Sequence, residues 1–250
     1  MSGHSKWANI KHRKAAQDSK RGNLFQKLIK AIIIAAKEGG GDPGMNVRLK
    51  AALERAKAAS VPADNITRAI KRGTGELAGV SYEELSYDAY GVDGVAIICE
   101  ALTDNRNRTT PEIRALLERN GGSLGTSGSV SWMFERKGNI TIEGEVDEDQ
   151  LMEDAMDAGA DDVEVADENA TVTTDPSALM DVRDALEKKG YKIADAETVF
   201  VPKTTVSISN VDKARKMLKL IDLLESHDDI QNVYANFEFT DEVNAALDAD

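Results

Sequence analysis

Residues 137–203 read KGNITIEGEVDEDQLMEDAMDAGADDVEVADENATVTTDPSALMDVRDALEKKGYKIADAETVFVPK, and the order of elements in this stretch decides the fold. Residues 138–143 read as a strand, 147–158 as a helix, 162–167 and 170–174 as two strands, 176–189 as a helix and 192–201 as a closing strand. That βαββαβ order is the ferredoxin-like arrangement, in which the helices lie on one face of an antiparallel sheet. The stretch holds six Lys and Arg against nineteen Asp and Glu, a net of −13. So acidic a surface repels a polyanion, and nucleic acid is not expected on it.

Working outward, residues 205–209 read as a strand, 211–227 as a helix and 230–239 as a strand. Half an α+β layer cannot bury its apolar face alone, so this segment is expected to complete a sheet begun upstream, with 137–203 inserted into that domain. A free-standing tail is the alternative. The upstream part starts with a strand at 86–90, a turn at Gly91-Val92-Asp93-Gly94 and the apolar run 95–102, together a hairpin whose second strand is buried. Residues 103–109 read as a polar loop, and Thr110-Pro111-Glu112 opens a helix through 118 with Pro111 at its first position. A glycine-rich run, 121–128, leads into a strand at 129–135.

Before all this stands a segment of different composition. Apolar residues at helical spacing predict helices over 23–38, with Asn23 as cap and Gly39-Gly40-Gly41 as terminator, over 45–59, and over 63–72. Residues 1–75 carry sixteen Lys and Arg against five Asp and Glu, a net of +11, while the remainder carries −24. The overall −13 conceals that division. A basic head on an acidic body approaches a polyanion in one orientation only. The basic arm 1–22, with Trp7 and two histidines among its cations, is too poor in apolar residues to form a core, and its charge points to phosphate. A frayed, solvated terminus is the plain alternative. The expected contacts are Lys6, Trp7, Lys11, His12, Arg13, Lys14, Lys20 and Arg21 on the arm, and Arg48, Lys50, Arg55, Lys57, Arg68, Lys71 and Arg72 on the helices.

Other chemistry finds little support. Cys99 stands alone inside an apolar run and reads as a buried small hydrophobe of a reducing compartment. His4, His12 and His227 have no companions at metal-ligand spacing. The glycine-rich run lacks the Lys-Ser/Thr ending of a phosphate loop and precedes a strand, not a helix. No secretory signal or membrane span is read, so a cytoplasmic location is expected, with no membrane, cofactor, metal or small-molecule substrate. The alternation Asn105, Arg106, Asn107, Arg108 suits bidentate contacts to phosphates or bases, and equally suits pinning a domain interface to neighbouring acids.

The strings GHSKWANIKHRKAAQDSKRG, AAKEGGGDP, NITRAIKRGTGE, LTDNRNRT and GGSLGTSGSVSWMF, in that order and spacing, resemble the YebC/PmpR family over essentially the whole chain. One departure is the turn at Tyr87-Asp88-Ala89-Tyr90-Gly91-Val92-Asp93-Gly94, where relatives tend to have Glu-Gly between the tyrosines and Pro-Gly after the third position. The resemblance implies a multidomain α and α+β protein: an N-terminal helical bundle, a middle α+β domain and a ferredoxin-like α+β domain inserted into the middle one. The corresponding boundaries are 1–75, 80–136 with 204–240, and 137–203. Bacterial members are described as DNA-binding transcriptional regulators; other relatives, including the mitochondrial translational activator of cytochrome c oxidase, are linked to the ribosome. The expected function is therefore a non-enzymatic, DNA-binding transcriptional regulator, with a ribosome-associated translation factor binding ribosomal RNA as the alternative. The oligomeric state is left open.

Overall fold

The computed structural model describes residues 18–166 and 169–248. The chain divides into two compact units, one formed by residues 133–204 and the other by the described parts of 16–132 and 205–250.

The larger unit begins with three helices, α1 (Asp18–Gly39), α2 (Val47–Ala58) and α3 (Ala63–Gly73). Leu28, Ile32, Ile33, Ala35 and Ala36 of α1 meet Leu49, Leu53 and Ala56 of α2 and Ala69 of α3 in one core. Asn46 joins the first two helices. Its carboxamide oxygen accepts from Leu49 N and so caps α2, while its Nδ2 donates to Ala35 O at 2.7 Å and Gly40 O at 2.8 Å at the end of α1. Gly73 lets α3 approach α1 closely, since a Cβ there would lie 2.5 Å from Ile33 O. Because α1 already runs from Asp18, Asn23 sits inside the helix and does not cap it.

The chain then forms β1 (Glu83–Tyr90), β2 (Ala96–Thr103), α4 (Arg106–Arg119) and β3 (Ser123–Leu124). Of the polar segment 103–109 expected to be a loop, residues 106–109 are instead the first turn of α4. Asn105 is its cap, accepting from Arg108 N at 3.1 Å, and Pro111 stands one turn inside. There its missing N–H deprives only the carbonyl of exposed Asn107 of a helical donor. A 3₁₀ turn occupies Ser131–Met133, and one long strand, β4 (Phe134–Glu143), replaces the two strands read on either side of 136–137.

In the smaller unit, β4 is followed by α5 (Glu148–Ala158), β5 (Asp162–Ala166), β6 (Asn169–Thr174), α6 (Leu179–Lys188) and β7 (Ile193–Pro202). The sheet order β5-β6-β4-β7 is antiparallel throughout, as the ferredoxin-like topology requires. Ile140, Ile142, Leu151, Val172, Val182 and Leu186 fill the space between sheet and helices.

The chain returns to the larger unit as β8 (Val206–Ile208), α7 (Val211–Glu225), β9 (Ile230–Ala235), β10 (Phe237–Phe239) and α8 (Asp241–Asp248). β9 pairs with β2, giving the order β3-β1-β2-β9 and burying the run Val95–Cys99 at the centre. Burial pushes the Cys99 thiol up to about 12. The strand expected over 230–239 is two strands broken at Asn236, whose Oδ1 accepts from Ala96 N at 2.7 Å. Beyond the break, β10 pairs in parallel with β8 as a separate two-stranded sheet.

Candidate nucleic-acid interface

On α2 the stripe Leu49, Leu53 and Ala56 is buried, and Lys50 and Lys57, two turns apart, flank it on one side and are exposed. On α3, Arg68, Lys71 and Arg72 are exposed at i, i+3 and i+4. Arg68 donates to Asp64 O and Asn65 Oδ1 within its own helix, and the stem of Arg72 lies along Gly79. Among the described residues none of these five cations has an ion pair. Arg55 is half-buried. Arg48 is committed elsewhere: its guanidinium is held between Glu38 and Glu84, which outweigh partial burial and raise its pKa above the ordinary arginine value. Lys6, Trp7, Lys11, His12, Arg13 and Lys14 lie outside the described residues, and for Lys20 and Arg21 only the helical backbone of α1 is described.

A second group of polar head residues, two of them lysines, faces inward. Asn23, Lys27 and Lys30 recur at i, i+4 and i+7 on α1 and donate to Ser226 O at 2.8 Å, Glu225 O at 2.6 Å and Asp228 O at 2.9 Å. These carbonyls lie at and just beyond the C-terminus of α7, where helix carbonyls lack internal partners and the dipole favours cations. Lys30, only 8% exposed, also pairs with Asp229 Oδ1 at 2.7 Å and sits 5.6 Å from the centre of the Tyr82 ring. Asp229, 2% exposed, takes on its other oxygen Arg108 at 2.5 Å and Thr109 Oγ1 at 2.7 Å. Burial alone would raise this carboxyl, but the hydrogen bonds from Lys30, Thr109 and Arg108 overcome it and hold it well below the usual carboxylate range. His227 Nδ1 accepts from Asp229 N, which leaves its Nε2 3.3 Å from Glu112.

The loop-borne quartet therefore splits. Asn105 is a helix cap, Arg108 is drawn into the Asp229 cluster, and Arg106 and Asn107 remain on the exposed first turn of α4. The acid that Arg108 meets, Asp229, comes from the far end of the sequence but lies in the same unit. Lys30 and Asp229 were missed in the sequence reading. For Lys30 a signal existed: it stands inside the apolar run LIKAIIIAA, where a lysine needs a buried partner.

The glycine-rich run serves packing against β1. A Cβ at Gly122 would lie 2.7 Å from Tyr90 O, and Gly125 N donates to Asp88 O. The buried Asp88 carboxylate accepts from Val130 N, Ser131 N and Ser131 Oγ, and so fixes the turn that follows. Among the described residues no three His, Cys, Asp or Glu side chains are grouped to hold a metal, and no helix is long and apolar enough to cross a membrane.

Comparison with known proteins places this geometry in context. The TACO1/YebC N-terminal domain matches residues 5–76, and the TACO1/YebC second and third domain matches residues 82–237. A probable transcriptional regulatory protein of Dictyoglomus turgidum is 56% identical over 99% of this chain and 100% of its own. One from Geobacter sulfurreducens is 54% identical over 97% of this chain and 98% of its own. The crystal structure of a conserved hypothetical protein from Aquifex aeolicus superposes with a TM-score of 0.88 at 47% identity, covering 95% of this chain and 98% of that one.

Proposed function

Since this chain belongs to the TACO1/YebC family, we propose that it is a non-enzymatic regulator of transcription that binds DNA through the outer faces of its helical head. The observation that carries the reading is the set of exposed cations on α2 and α3, Lys50, Lys57, Arg68, Lys71 and Arg72, which have no ion pair among the described residues, in a chain that is otherwise strongly acidic. Lysines at such positions are point charges that meet phosphate without reading bases, so the head supplies affinity and the duplex sequence alters it little. The names of the relatives, probable transcriptional regulatory proteins, point the same way. The basic arm, with Lys6, Lys11, Arg13 and Lys14, extends the same charge toward the N-terminus.

Counterion release makes the proposal measurable. With about six cations on phosphate, affinity for duplex DNA should fall about 10³-fold between roughly 50 and 200 mM salt. Titration of promoter DNA, random DNA and purified ribosomes in parallel at about 150 mM salt tests the target, with promoter preference over random duplex expected below about 10³. A flat salt response would remove the phosphate reading. Tight binding to ribosomes with none to DNA would replace DNA by ribosomal RNA as the target.

A further inference from the structure

The outer surface of α4 and α7 carries a feature that the nucleic-acid reading does not use. A groove of about 550 Å³ runs between the two helices, with a floor of Pro111, Ala115, Leu116 and Leu223. Leu223 is 36% exposed, unlike its buried neighbours Leu220, Ile221 and Leu224 on the sheet side. The groove lining also holds one acid, Glu112, which lies 3.3 Å from His227 and 3.8 Å from Arg108. Asn120 completes the lining, and cations stand in and beside the groove. Arg119 lines it directly, and Lys216 and Lys219 fall on the same face of α7 as Leu223, at i−7 and i−4 from it. Arg119, Lys216 and Lys219 are exposed and, among the described residues, without an ion pair.

We infer that this groove docks an acidic amphipathic helix of another protein. The floor needs aliphatic or thioether side chains to cover it, which a phosphodiester chain lacks, and the rim needs carboxylates. A helix with both faces satisfies the two demands at once, in the helix-in-groove manner with anchors at i, i+3 or i+4, and i+7. The cationic rim steers such a partner and rejects basic helices, while burial of the apolar anchors holds it.

The full-length protein is titrated by fluorescence anisotropy with a labelled helical peptide of about four turns, Leu and Met on one face and Glu and Asp on the other. A scrambled peptide of identical composition controls for charge alone. The amphipathic peptide is expected to bind in the micromolar range and the scrambled one at least about tenfold more weakly. Lys216→Glu with Lys219→Glu should weaken binding by about tenfold and, in the same variant, permit binding of a Lys-faced version of the peptide, a charge swap that loss of folding cannot produce. Leu223→Asp should abolish binding while the circular dichroism melt stays unchanged. Lys50→Ala with Lys57→Ala should leave peptide binding as it is.

Equal binding of both peptides, or binding of neither, overturns the inference. So does loss of random duplex DNA binding in the Lys216/Lys219 variant, which would make this face part of the nucleic-acid surface. A concentration-dependent dimer in sedimentation that the same variant abolishes overturns it too, because the occupant would then be a second copy.

Discussion

The helical head holds two sets of cations that are chemically alike and structurally opposed. Lys27 and Lys30 point from α1 into the body of the larger unit, where the carbonyls ending α7 and the Asp229 carboxylate receive them. Lys50, Lys57 and Lys71 point from α2 and α3 into solvent, with no ion pair among the described residues. The first set holds the fold together; the second leaves its charge available to a partner. The +11 of the head counts both alike, so net charge by itself overstates the surface that can meet phosphate. What separates them is the identity of the neighbouring helix face: polar donors recurring at i, i+4 and i+7 on α1 meet a helix C-terminus, while the exposed lysines of α2 and α3 meet water.

The sharpest way to break this comparison is to remove an inward cation. Lys30→Met leaves the Asp229 charge buried with only part of its compensation, and breaking such a pair typically costs about 3–5 kcal/mol. With Arg108 and Thr109 still in place, about 3 kcal/mol is expected, read as a lower midpoint in urea denaturation at pH 7. A loss under about 1 kcal/mol would mean that the inward lysine is as dispensable as the outward ones.

The next effect is set by pH. The Asp229 carboxyl is held below its ordinary range in the folded protein, so its contribution is fully present above the unfolded carboxylate value of about 4 and drains away as pH falls further toward the folded value. The stability gap between the native protein and Asp229→Asn should therefore stay constant from about pH 7 to 5 and narrow below about pH 4. A gap that stays flat down to about pH 2 would show that the carboxylate charge is not what fastens α1 to the α7–β9 junction.

Much of the fold could be read in advance, and the misreadings share a cause. The βαββαβ order of residues 137–203 is plain where local caps mark the elements, such as Asp147 ahead of α5 and Gly159 after it. The errors came where a local signal competes with a tertiary one. Pro111 suggested a helix start, yet Asn105 caps α4 more than a turn earlier. Asn23 looked like a cap, but α1 extends past it and its amide is used across the unit at Ser226 O. The site was legible as composition and not as geometry. Lys30 and Asp229 are 199 positions apart, and no periodicity of a single sequence joins them. Arg48, counted with the outward cations, is distinguished by Glu38 at the end of α1 and Glu84 arriving from β1.

The smallest expected effect on stability belongs to the outward set, and it is the one that completes the comparison. Lys50→Ala, Lys57→Ala and Lys71→Ala together remove exposed side chains that have no ion pair among the described residues and place the best helix former at each position, so stability should change by no more than about 0.5 kcal/mol per site and in either direction. The loss should appear in binding instead. If each lysine releases a counterion from duplex DNA, the slope of log affinity against log salt should become shallower by about 0.9 per residue, close to 3 for the triple variant, and equally so for promoter and random sequences. Lys30→Met should do the reverse: a lowered denaturation midpoint and, at temperatures where it is folded, an unchanged salt slope. A triple variant with the native slope would reduce the outward lysines to a solvated surface. Lys30→Met with a shallower slope would put that residue, buried as it is, within reach of phosphate, and the division between the two sets would collapse.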